Sequence, residues 1–120
     1  MTEDSRWLYR QMIDAMVLAC AQGPGQVSAE RIRVGVWNAN AEEVADADPS
    51  QHAMNTLLAA LTPEQREVLA GLLAEEFASG VFNALEVLHA ADLTPFDEGY
   101  EGNPSDDFLA RMDAWQWPAR

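Results

Sequence analysis

Thr62-Pro63-Glu64-Gln65-Arg66-Glu67-Val68-Leu69 is the stretch on which the fold turns. Thr62 has the side chain of an N-cap, Pro63 the fixed φ favoured at the first helical position, and Gln65 stands where a capping box places an amide. A helix therefore starts at Thr62. Leu69, Leu73, Phe77, Ala84, Leu85 and Leu88 recur at helical spacing and predict its core face, over about residues 62–91.

Upstream, Pro49 and Ser50 open another helix, with Met54, Leu57, Leu58 and Leu61 at i, i+3, i+4, i+7. In residues 5–21 the stripe is Leu8, Met12, Ala15, Met16 and Ala19, widened by Tyr9, Ile13 and Cys20 and stopped by Gly23-Pro24-Gly25. Between these two helices Ser28 is placed to cap a helix with Ile32, Val36 and Trp37 on its buried side. Arg31-Ile32-Arg33-Val34-Gly35-Val36 also alternates with a period of two, as a strand would; helix is the better reading, because a lone strand has nothing to pair with. Residues 38–48 form a polar, acidic connection whose Ala41-Glu42-Glu43-Val44-Ala45 suits a helical turn.

Downstream, residues 92–104 read as an acidic surface loop with Phe96 and Tyr100 folded back as anchors. Ser105 is expected to cap a short last helix, with Asp106 and Asp107 in its positive first turn and Phe108, Leu109 and Met112 facing inward. Pro118 blocks any helix near the carboxyl end. The pattern predicts an all-α, compact single-domain bundle of about five helices over residues 1–120, built on the long central helix.

The balance of 20 acidic against 7 basic residues gives a formal net charge of −13, whose field repels phosphate backbones and anionic lipid. Neither nucleic acid nor a membrane is expected as a partner, and charges interrupt the apolar runs. Residues 1–40 hold four acids and four arginines; residues 41–120 hold sixteen acids and three arginines. All seven basic residues are Arg, which removes Schiff-base chemistry, Lys-activated nucleophiles and a P-loop phosphate site. Cys20, the single cysteine, allows no intramolecular disulfide and reads as a small core residue. The start shows no basic region followed by an apolar segment, so a cytoplasmic location is expected.

The chemistry-bearing patterns are sparse. Glu86-Val87-Leu88-His89 has the Glu-x-x-His spacing of helical carboxylate metal sites, but one copy is too little, and both side chains are expected on the solvated flank. Asp97-Glu98-Gly99-Tyr100-Glu101-Gly102 resembles a calcium loop with a Gly where a ligand belongs. The five serines and two histidines show no catalytic pairing. No catalytic residue, metal ligand or cofactor is therefore expected. Glu76, Ser79 and Asn83 border the apolar face of the long helix beside Gly80, which marks either a close neighbouring helix or an opening lined for a small ligand. Trp115 and Trp117 are expected to cover the core; alternatively they join Trp7, Trp37, Arg6 and Arg10 in an interface rich in hot-spot residue types.

Tyr9-Arg10-Gln11-Met12-Ile13-Asp14, Gly35-Val36-Trp37, the Thr62-Pro63-Glu64-Gln65-Arg66 start and the terminal Trp115-Gln116-Trp117-Pro118 together resemble a family of small uncharacterised bacterial proteins. That resemblance implies a bacterial helical domain and supplies no activity. Relatives carry His-Asp where this chain has Phe82-Asn83, so chemistry needing that pair is in doubt here. The functional expectation is a non-enzymatic protein-binding or regulatory module of the inhibitor, antitoxin or immunity-like kind, with a basic protein partner. The alternatives are a small-ligand- or metal-dependent enzyme around Glu76 and Asn83, and a homo-oligomeric structural domain.

Overall fold

In the computed structural model, residues 2–43, 49–93 and 99–119 are described, and among them the chain is helical with no strand. The order is α1 (Glu3–Ala21), a 3₁₀ turn (Pro24–Gln26), α2 (Val27–Val34), α3 (Pro49–Ala60), α4 (Pro63–Ala90) and α5 (Pro104–Met112). Phe96 and the acids Asp97 and Glu98 of the calcium-loop pattern lie outside the described residues, as do the last two residues of the expected turn at 41–45.

Local chemistry explains where the helices begin and end. The Thr62 capping box closes as expected: the Gln65 amide N–H donates to Thr62 Oγ1 at 3.1 Å, and the Thr62 N–H donates to Gln65 Oε1 at 2.9 Å. Residues 31–34 are helical, and Gly35 at φ +88° ends α2 in the left-handed conformation that a Gly adopts without steric cost. Two expected caps are displaced. Ser28 lies inside α2, which starts at Val27 directly after the 3₁₀ turn and has no side-chain cap. The cap of α5 is Asn103, paired with Asp106, because Pro104 takes the first helical position and leaves Ser105 within the helix.

Two cores lie along α4, which is about 42 Å long. Ala29, Ile32, Leu58 and Ala70 form one with α2 and α3, backed by Trp37, Leu61, Leu69 and Leu73. Tyr9, Ile13, Cys20, Leu85 and Phe108 form the other with α1 and α5. At 100° per residue, Leu85 is turned about 60° from Ala70, so one apolar face cannot serve both cores. The expected core face of α4 is accordingly corrected. Leu85 is buried, whereas Ala84, Phe77 and Leu88 remain exposed. α1 shows the same shift: Tyr9, Ile13 and Cys20 are its buried residues, while Leu8 and Ala15 face outward.

The result is elongated, not compact. The extents are 55 × 29 × 21 Å and the radius of gyration is 18.5 Å, against about 14 Å for a compact chain of this length. Gly25 brings the end of α1 against the middle of α4, since a Cβ there would lie 2.7 Å from the Cys20 carbonyl oxygen and 2.8 Å from the Phe77 ring.

Candidate functional site

The first two turns of α1, the segment around Tyr100, the start of α5 and the carboxyl-terminal tail converge at one end of the molecule. Asp107 is the anchor. It is fully buried and accepts hydrogen bonds from the Tyr9 hydroxyl, the Tyr100 N–H at 2.6 Å and the Glu101 N–H at 2.6 Å. Burial first, and then the Asp107 carboxylate, raise the Tyr9 phenol far above its ordinary range. Gly99 makes this approach possible, because a Cβ there would run into the Gly102 carbonyl and Asp107.

So fixed, the Tyr100 ring becomes a hub. It stacks on Tyr9 with centroids 6.0 Å apart and meets Trp117 edge-on at 5.1 Å. The guanidinium carbons of Arg6 and Arg10 lie 4.7 and 4.6 Å from its centre, and Arg10 Nε donates to its hydroxyl at 3.0 Å. Trp117 is held from behind: its indole N–H donates to Asp14, which also pairs with Arg111 at 2.7 Å. Arg111 donates in turn to the Trp115 carbonyl at 2.5 Å. An open cavity of about 390 Å³ lies in front of this hub, lined by Glu3, Arg6, Trp7, Arg10, Tyr100, Pro118 and Ala119.

The Arg6 and Arg10 guanidiniums and the Glu3 carboxylate supply the charge of this cavity. Arg33 pairs with Glu30 and Glu67, and Arg111 with Asp14, whereas Arg6 and Arg10, like Arg31 and Arg66, have no acidic partner among the described residues. Arg6 Nε, like Arg66 Nε beside α2, is buried without a hydrogen-bond partner among them. An N–H left this way costs about 1–3 kcal/mol, more on a charged group, which an incoming acceptor would offset. Two guanidiniums beside an aromatic wall suit a carboxylate or another planar anion.

Of the interface residues expected from sequence, Arg6, Trp7 and Arg10 line the cavity, Trp117 stands behind Tyr100, and Trp115 meets Trp117 edge-on at 5.0 Å. Trp37 does not join them. It packs on the α2–α3 core under Arg31, and Asn55 fixes its backbone by accepting the N–H groups of Trp37 and Asn38 at 2.7 and 3.0 Å. The set Glu76, Ser79, Gly80 and Asn83 is exposed on α4. A Cβ on Gly80 would meet nothing within 4 Å, so no helix among the described residues approaches there. Ser79 borders a shallow depression with Phe82 and Met112; Glu76 and Asn83 do not.

Sequence reasoning missed the structural weight of Asp107, Asp14 and Glu86. Glu86 is not simply solvated, since it accepts a hydrogen bond from the buried Ser105 of α5. Among the described residues no three His, Cys, Asp or Glu side chains gather as a metal set. Burial pushes the Cys20 thiol up, away from the reactive thiolate. By length and mean hydropathy α4 would pass for a membrane span, with an 18-residue window at 1.4 of which 11% is buried.

No curated protein and no solved structure matches the chain. The family comparison does: residues 2–119 match a family of unknown function, DUF6547, and the chain belongs to it.

Proposed function

We propose that this chain is a non-enzymatic protein-binding module whose anchor point is the cavity framed by Arg6, Trp7, Arg10 and Tyr100. The observation that carries this reading is the gathering of two guanidiniums on the Tyr100 ring in one open cavity, neither with an acidic partner among the described residues and one with a buried, unsatisfied N–H. A carboxylate of the partner, on a side chain or at its carboxyl end, supplies both guanidiniums with an acceptor, and Trp7 adds apolar area at the rim. The net charge of −13 selects the partner at longer range: a basic protein is drawn in, and its carboxylate is then seated locally. An inhibitor, antitoxin or immunity-like role needs no more than such occupancy of a partner's surface.

The test is capture of a partner from lysate by the wild-type chain and by the double variant Arg6→Ala/Arg10→Ala. A basic protein held by the wild type, released at high salt and lost from the double variant is the expected result. Equal retention by both chains would overturn the anchor. Tryptophan fluorescence offers a second readout, because a peptide ending in a free carboxylate should quench or shift Trp7 emission where its amidated counterpart does not.

A further inference from the structure

Glu3, Arg6, Trp7 and Arg10 stand at i, i+3, i+4 and i+7 on α1, so one side of the helix presents all four to the cavity beside Tyr100. Arg10 commits its Nε to the Tyr100 hydroxyl at 3.0 Å, and the Nη groups of both arginines make no hydrogen bond among the described residues. Two guanidinium forks held on one ring form a paired donor set for a planar acceptor with two oxygens. What surrounds them is apolar: Trp7 is exposed at the rim, and Pro118 and Ala119 of the carboxyl-terminal tail complete the lining. At about 390 Å³ the cavity lies at the small end of the about 300–1,000 Å³ usual for ligand pockets, room for the end of a chain and not for a helix or a sheet.

The geometry points to one kind of carboxylate: the free carboxyl terminus of the partner, on an apolar last residue. This rests on the carboxylate anchor of the proposed function and narrows it to one source. A side-chain carboxylate arrives on backbone that runs on in both directions, which α1 and the tail at Pro118 and Ala119 confine, whereas a terminus brings one length of chain only. The terminus is a monoanion, and each further negative charge, as on a phosphate, is disfavoured beside Glu3 and in the field of a chain at −13. Its last side chain follows the carboxylate in and covers Trp7, Pro118 and Ala119. Basic residues just upstream stay outside in the acidic field, which draws the same tail toward the cavity.

Calorimetry on the full chain with three peptides decides the matter. Acetyl-Lys-Lys-Ala-Leu with a free carboxyl end is the probe; its amide removes the carboxylate, and acetyl-Lys-Lys-Ala-Glu amide moves the carboxylate to a side chain at the same net charge. The free acid should bind about tenfold tighter or more than either. The amide carries one more positive charge, so attraction to the −13 field alone would rank it first, the reverse of the expected order. Arg10→Lys, which keeps the charge and loses the fork, should bring the free acid down to its amide while circular dichroism keeps the helical signal. Replacing the last Leu of the probe by Ser should weaken binding severalfold. An amide or Glu amide that binds as tightly as the free acid would overturn the inference, as would acetyl-leucine binding as tightly as the tetrapeptide, which would assign the cavity to a small acid. A lysate partner lost from Arg6→Ala/Arg10→Ala while the free acid and its amide bind alike leaves the carboxylate anchor standing and removes only the terminus; a partner held equally by both chains removes the anchor itself.

Discussion

The two ends of α4 are built from different materials. The α2–α3 end closes on aliphatic and small residues, Ala29, Ile32, Leu58 and Ala70, and its polar contacts lie at the rim. The α1–α5 end closes on Tyr9, Phe108, Tyr100 and Trp117 and admits a buried carboxylate, Asp107, with its hydrogen bonds made. Aliphatic contacts are non-directional and tolerate small adjustments, whereas a satisfied buried acid fixes each donor at a set distance and angle. The geometry that places Arg6 and Arg10 over one ring depends on that second kind of core.

The largest effect should come from breaking that fixed end. Asp107→Ala leaves the Tyr9 hydroxyl and two backbone N–H groups without their acceptor, at a cost of about 3–5 kcal/mol. At about 4 °C per kcal/mol for a chain of this size, thermal unfolding should fall by roughly 15 °C. Trp7 and Trp117 fluorescence should change as Tyr100 loses its seat. A loss below 1 kcal/mol would mean that the polar core is ornamental.

The aliphatic end should yield less. Leu58→Ala removes a fully buried side chain at about 2–4 kcal/mol, which a urea titration measures. The sharper readout is local: amide hydrogen exchange should speed up in α2 and α3 while α1 and α5 stay protected. Uniform loss of protection would show that α4 couples the two cores into one cooperative unit.

The contrast also explains what was legible beforehand. The Thr62 start of α4, the helical nature of residues 31–34 and the meeting of Arg6, Trp7 and Arg10 on one face follow from chemistry local to a few turns. Asp107 did not, because Asp106 and Asp107 look alike in a first helical turn, and only the tertiary neighbours Tyr9 and Tyr100 send one inward and leave the other as the capping partner of Asn103. The apolar residues of α4 were visible, but periodicity does not say that they divide between two cores turned about 60° apart. Periodicity marked Phe77, Ala84 and Leu88 as residues to be covered, and the chain covers Phe77 and Leu88 only in part and leaves Ala84 exposed.

Alkaline titration probes the polar end alone. The Tyr9 phenol is raised in the folded chain, so its contribution to stability is fully present below the unfolded value of about 10 and is lost as pH rises beyond it. Urea midpoints should fall above pH 10. Tyr9→Phe should be weaker at neutral pH by about 1–2 kcal/mol, from the lost hydrogen bond, and should show a flatter alkaline decline. A wild type and variant with parallel pH profiles would remove Tyr9 as the cause.

Gly71 supplies the smallest test, at the aliphatic end of α4. A Cβ there would meet nothing within 4 Å, and the backbone is ordinary helix. Gly71→Ala should therefore stabilise the chain by about 0.5–1 kcal/mol, through helix propensity alone. At about 4 °C per kcal/mol this is an upward shift of a few degrees in thermal unfolding. If Gly71→Ala instead destabilises the chain, then this side of α4 is covered rather than open.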